Sequence, residues 1–115
     1  MTKSTMLACV AGIPLLFACA EPNSYAPPAG QTVTIDENVA EAFAAYQKTV
    51  GYTHPGAFAV SESGRSSFYY YCEDTICNQG IVFSRTALER CESHGERCYV
   101  FATGHDASYP FRVLN

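Results

Sequence analysis

The sequence predicts a small α+β domain. It reads as a two-layer sandwich in which an N-terminal helix precedes a β-hairpin, a second helix and a further strand, stapled by disulfides. Three observations predict it. Val39, Phe43, Tyr46 and Val50 recur at helical spacing. Two runs rich in β-formers, Ala57–Ser61 and Ser66–Cys72, flank a turn at Gly64. Four cysteines, Cys72, Cys77, Cys91 and Cys98, lie downstream of an export signal.

The export signal comes first in the chain. Met6–Phe17 is an almost wholly apolar run behind a polar start bearing Lys3. It is too short for a membrane-spanning helix, which needs roughly 20 residues, and has the length of a secretory core. Leu16-Phe17-Ala18-Cys19 resembles the bacterial lipoprotein signal. That resemblance implies residues 1–18 as signal peptide, cleavage before Cys19 and diacylglycerol on the Cys19 thiol. A competing reading takes Ala18-Cys19-Ala20 as an A-x-A site, cut after Ala20 to give a soluble periplasmic or secreted protein. With Ala20 rather than aspartate after Cys19, the resemblance further implies the periplasmic face of the outer membrane. Residues 19–33, with three prolines and little hydrophobicity, read as a disordered tether. Residues 34–115 form the single domain.

Within the domain, Asp36 or Thr34 can cap a helix over residues 37–50, which Gly51 ends. Thr53-His54-Pro55-Gly56 is a turn. The first hairpin strand carries Phe58 and Val60 on one side, and Phe68, Tyr70 and Cys72 of the return strand are expected on that same buried face. Tyr69 and Tyr71 fall on the other. Ser84–His94 is a second helix with a capping box at Thr86 and Glu89, an apolar stripe of Phe83, Ala87, Leu88 and Cys91, and a stop at Gly95. Ile81–Phe83 fits a backward extension of this helix better than a strand. Arg97–Thr103 is the next strand, and Tyr109–Leu114 a short edge strand or tail. The strand–helix–strand unit places this strand parallel to the second hairpin strand or next to its partner. Both helices are expected on one face of the sheet.

The cysteines read as disulfides in an exported domain too small to rely on its core. The simplest pairing is local, Cys72–Cys77 and Cys91–Cys98, although four cysteines allow three pairings. A zinc site from Cys91, His94 and Cys98 with Cys72 and Cys77 is the competing reading, and its spacings match no strong zinc motif. Redox chemistry would need C-x-x-C, which these spacings lack. Ala87–Glu92, Gly95 and Cys98–Ala102, with Ala57–Ser61 and Gly64 before them, resemble small exported proteobacterial domains of unknown function. The resemblance spans residues 57–103 and implies the hairpin, cysteine-bearing helix and cysteine-led strand, with no settled activity.

Composition narrows the function. Six cysteines and a net charge of −4 leave no basic face for nucleic acid. Loss of Lys3 with the signal leaves six basic against eleven acidic residues, a net −5. No catalytic constellation emerges from His54, His94 and His105. Adjacent His105 and Asp106 are expected to point apart, and Ser108 lacks a nucleophile elbow. Glu73 and Asp74 read as a solvated loop. No enzyme and no cofactor are expected. Tyr69 and Tyr71, standing on an open sheet face with Arg65 and Tyr99 nearby, form the candidate binding surface. The expected partners are the membrane, through lipid on Cys19, and an envelope protein or glycan. Two alternatives stand beside this. Tyr71–Asp74 and Ser61–Gly64 resemble small exported lysozyme inhibitors, although those are mainly β-barrels. The other alternative is a small periplasmic hydrolase using His105 or His94.

Overall fold

The protein is described by a computed structural model covering residues 25–72 and 80–114, with side chains of the second helix from Phe83 onward. The elements in chain order are β1 (Val33–Asp36), α1 (Glu37–Val50), β2 (Gly56–Ser61), β3 (Ser67–Tyr71), α2 (Gly80–Glu92), β4 (Cys98–Thr103) and β5 (Phe111–Leu114). The α+β class and the order of helix, hairpin, helix and strand hold.

Helix α1 starts where its cap chemistry dictates. Asp36 Oδ1 accepts from the Val39 amide at 2.9 Å, and Gly51 ends the helix with a positive φ and its amide on the Gln47 carbonyl. Val39, Phe43, Tyr46 and Val50 are its buried stripe. Helix α2 begins at Gly80, so Thr86 and Glu89 lie inside it rather than forming an N-terminal capping box. Phe83, Ala87 and Cys91 are buried as the stripe requires, and Gly95 closes the corner at φ 99°.

Strand β2 is the centre of a three-stranded sheet ordered β3-β2-β4, antiparallel to both neighbours. β4 therefore runs parallel to β3 and lies next to its hairpin partner, as the crossover rule requires. All six residues of β2 are buried, and its two faces differ in size. Phe58 and Val60 pack with the α1 stripe, Ile35 and Phe101. Ala57 and Ala59 pack with Phe83, Ala87, Cys91 and Cys98. The helices thus cover opposite faces of the sheet, not one. A strand buried on both sides hides the second face from a reading based on alternation alone, because alanine passes for a neutral residue.

Hairpin register corrects a second expectation. Phe58 pairs with Tyr69, and Ala57 with Tyr70. Tyr69 and Tyr71 therefore share the face of Phe58, and Phe68 and Tyr70 lie on the alanine face. A one-residue slip inverts every assignment along a strand. In β4 an irregularity between Phe58 and Ala59 leaves Phe101 as the extra residue, so consecutive Phe101 and Ala102 both join the α1-side core.

A strand also forms where only a helix start was expected. β1 pairs in parallel with β5, Val33 opposite Phe111 and Ile35 opposite Val113. Gly64 makes this junction fit. It adopts φ 78°, its carbonyl accepts from the Asp36 amide, and a β-carbon there would overlap the Thr34 carbonyl oxygen. Of the tether expected over residues 19–33, residues 25–33 pack on the domain. Pro27 and Val33 are buried, and Tyr25 packs against the core. Among the described residues, no helix is long and apolar enough to cross a membrane.

Candidate ligand cleft

Residues 25–32 form a strap beside the start of β4 and the β2–β3 loop. Aromatic contacts hold it. Tyr25 meets Tyr99 edge-on at 6.0 Å, Tyr99 meets Tyr109 edge-on at 5.5 Å, and the Tyr109 hydroxyl donates to the Pro27 carbonyl at 3.0 Å. The Arg97 guanidinium lies 4.2 Å from the centre of the Tyr25 ring. The same guanidinium grips Glu62 through two nitrogens, at 3.1 and 2.8 Å.

The loop facing the strap is equally tied. The Ser63 amide and hydroxyl both donate to the Glu96 carboxylate, and the Ser61 hydroxyl oxygen accepts from the Ser66 amide. Between strap and loop lies a cleft of about 250 Å³. Gln31, Thr32 and Thr34 line one side, Glu62 and Ser63 the other, and Tyr99 lines it from β4.

Tyr99 is the unusual member. It is 3% exposed, and burial, with Tyr25 and Tyr109 adding to it, pushes its phenol up to about 12. It stays a neutral donor at any ordinary pH. Its hydroxyl makes no hydrogen bond to the described residues. Tyr46 shows the usual solution for a buried phenol. It is also pushed up to about 12 by burial, but donates to the Gly104 carbonyl at 2.6 Å.

The structure does not gather the four residues expected to form a binding surface. Tyr69 stacks 5.8 Å from Phe58 and lies 5.4 Å from Tyr46, with Tyr71 beside it at 6.1 Å. These rings flank the α1-side core instead of an open face. Tyr70 is the more exposed neighbour, 5.6 Å from Phe83. Arg65 is exposed on the hairpin loop, its amide donating to the Ser63 hydroxyl oxygen. Tyr99 alone of the four lines the cleft. The sequence does not reveal its partners there, because strap and loop read as tether and turn. One signal was available: Thr32-Val33-Thr34-Ile35 alternates as a strand does.

Cys91 and Cys98 are joined, pinning α2 to the start of β4. Cys72 is also disulfide-bonded. The expected partner, Cys77, and the lipid-attachment residue, Cys19, lie outside the described residues. Thiols so engaged are not metal ligands, and no group of three His, Cys, Asp or Glu side chains among the described residues could hold a metal ion.

His105 and Asp106 do meet, with Nδ1 and Oδ1 2.8 Å apart, contrary to expectation. The His105 ring stacks on exposed Tyr52 at 4.0 Å, and Gln47 Nε2 donates to the His105 carbonyl. Among the described residues, no serine or threonine hydroxyl is hydrogen-bonded to this imidazole. His94 contacts the Cys91 carbonyl at the end of α2, and His54 contacts Thr53 in its turn. No family model, curated protein or solved structure matches the chain.

Proposed function

We propose that the chain is a cell-envelope lipoprotein, held through lipid on Cys19 at the periplasmic face of the outer membrane. Its domain binds another envelope component without catalysing a reaction on it. The observation that carries the binding reading is the Tyr99 hydroxyl: a donor on a largely buried residue, without a hydrogen-bond partner among the described residues, lining a polar cleft. A ligand's acceptor can take that bond in place of water.

The position of the cleft supports the anchor reading. Six residues lead from Cys19 to Tyr25, a reach of at most about 20 Å fully extended. A strap packed from Tyr25 onward keeps the cleft close to the lipid. The Cys91–Cys98 disulfide suits an oxidising compartment.

Two measurements test this reading. Intact mass of membrane-extracted protein, without reductant, is expected to show a lipid-modified chain beginning at Cys19. An unlipidated chain beginning after Ala20 would contradict the anchor. Saturable retention on isolated envelopes of the full mature chain carrying Cys19→Ser, which cannot take the lipid, is expected, and no retention would contradict binding. A second reading, a hydrolase acting through His105, is favoured only by the 2.8 Å contact with Asp106. It requires His105→Ala to abolish an envelope-hydrolysing activity.

A further inference from the structure

Three properties of the cleft select a chemical class. The first is its hydrogen-bonding character. Thr32, Thr34, Ser63, Gln31 and the Tyr99 hydroxyl are uncharged groups, most of which can both donate and accept. The Glu62 oxygens each accept one bond from Arg97 and keep acceptor capacity for another donor. The second is charge. Arg97, the cation beside the cleft, is committed to both oxygens of Glu62 and to the Tyr25 ring. Among the described residues that line the cleft, Glu62 is the charged one, so an anionic ligand would meet a carboxylate there. The third is size. About 250 Å³ falls below the ~300–1,000 Å³ of pockets that hold drug-sized molecules. The cleft suits one small ring, with Tyr25 and Val33 as its apolar margin.

We propose that this cleft binds a single neutral sugar ring, with the Tyr99 hydroxyl donating to one of the sugar's oxygens and Glu62 accepting from its hydroxyls. The proposal rests on the envelope-binding reading above and names the ligand class for that site. A terminal or exposed sugar of an envelope glycan is such a ring, presented close to a membrane anchor.

The test is ligand-observed NMR on the full-length mature protein in a zwitterionic detergent, which adds no sugar headgroup. Glucose, galactose and N-acetylglucosamine serve as probes, each beside its 6-phosphate. At least one neutral sugar is expected to show saturation transfer with an affinity on the order of millimolar. Its phosphate should bind at least roughly tenfold more weakly, since the charged group among the described lining residues is the Glu62 carboxylate. Tyr99→Phe removes one oxygen and is expected to weaken binding by roughly fivefold, the effect of one hydrogen bond. Thr32→Trp, at an exposed position on the rim, is expected to block binding while leaving the core intact. It decides the matter should Tyr99→Phe fail to fold. Absence of transfer from every neutral sugar would overturn the proposal and mean that the cleft holds water only. Tighter binding of a phosphate, or unchanged binding in either variant, would also overturn it. Retention on envelopes separates the two levels. Retention of the unlipidated Cys19→Ser chain with no sugar binding defeats the sugar proposal alone, whereas no retention of that chain defeats the envelope-binding reading beneath it.

Discussion

The guanidinium of Arg97 stacks over Tyr25 at 4.2 Å while holding Glu62 by two hydrogen bonds. One side chain at the start of β4 thereby ties the strap to the hairpin loop and forms a wall beside the cleft. All three partners are on or near the surface, so this contact orders a segment more than it stabilises the fold. Arg97→Ala is expected to leave the melting temperature nearly unchanged. Proteolysis within residues 25–33 should become faster than in wild type. Unchanged cleavage there would show that the tyrosine contacts hold the strap without Arg97.

Gly64 joins the hairpin turn to β1, and its replacement is a sharper test of the fold. Gly64→Ala places a side chain in a left-handed backbone conformation, which costs roughly 1–2 kcal/mol. It also drives the new carbon into the Thr34 carbonyl. A loss of more than about 2 kcal/mol is expected by urea unfolding. A smaller loss would mean that β1 shifts freely away from the turn.

The two faces of β2 predict opposite responses to a change in size. Phe58→Ala empties the α1-side core and is expected to cost about 3–5 kcal/mol. Ala59→Leu inserts bulk where α2 lies close, and is expected to cost about 1–3 kcal/mol. If Ala59→Leu were neutral in thermal unfolding, α2 would not pack on this face.

This pair of residues also shows how far the sequence could be read. Helix α1 was legible to the residue, because capping by Asp36, periodicity and Gly51 all agree. The position of Phe58 in the core follows from its strand alternation. Nothing in the sequence marks Ala59 as facing a second helix, since a small residue in a double-sided strand carries no hydrophobic signal. The hairpin register failed for a related reason. Three successive tyrosines look alike on either face, and the pairing is set by Gly64 and by contacts to β1 and α1 that are distant in sequence. The cleft was legible only in Tyr99. Its other walls come from a strap whose proline content suggested a tether, and whose packing depends on Tyr99, Arg97 and Tyr109 more than sixty residues away.

The disulfide at the α2–β4 corner closes a short loop. Replacing Cys91 and Cys98 together by serine is expected to destabilise the domain by about 2 kcal/mol or more. The comparison is thermal unfolding of wild type, without reductant, against the double variant. Equal melting temperatures would show that the corner holds without the bond.

Alkaline pH should expose the two buried phenols. Tyr46 and Tyr99 are pushed up to about 12 in the folded protein, above the ordinary value of 10. The folded state therefore retains protons that the unfolded state releases. Their stabilising effect is complete below pH ~10 and is lost as pH rises through about 12, on the order of 2 kcal/mol for each. Spectroscopic titration of the tyrosines is expected to show Tyr46 and Tyr99 ionising late, together with loss of structure. Ionisation of Tyr46 and Tyr99 near the ordinary value in a folded protein would contradict their burial.

The binding reading turns on the strap, the loop and Tyr99. The most direct measurement is the retention isotherm on isolated envelopes of the full mature chain carrying Cys19→Ser, which cannot take the lipid, with and without Thr32→Trp. Saturable retention of the Cys19→Ser chain is expected, with its loss on adding Thr32→Trp and equal melting temperatures for the two. Equal retention of a correctly folded Cys19→Ser/Thr32→Trp chain would contradict the binding site.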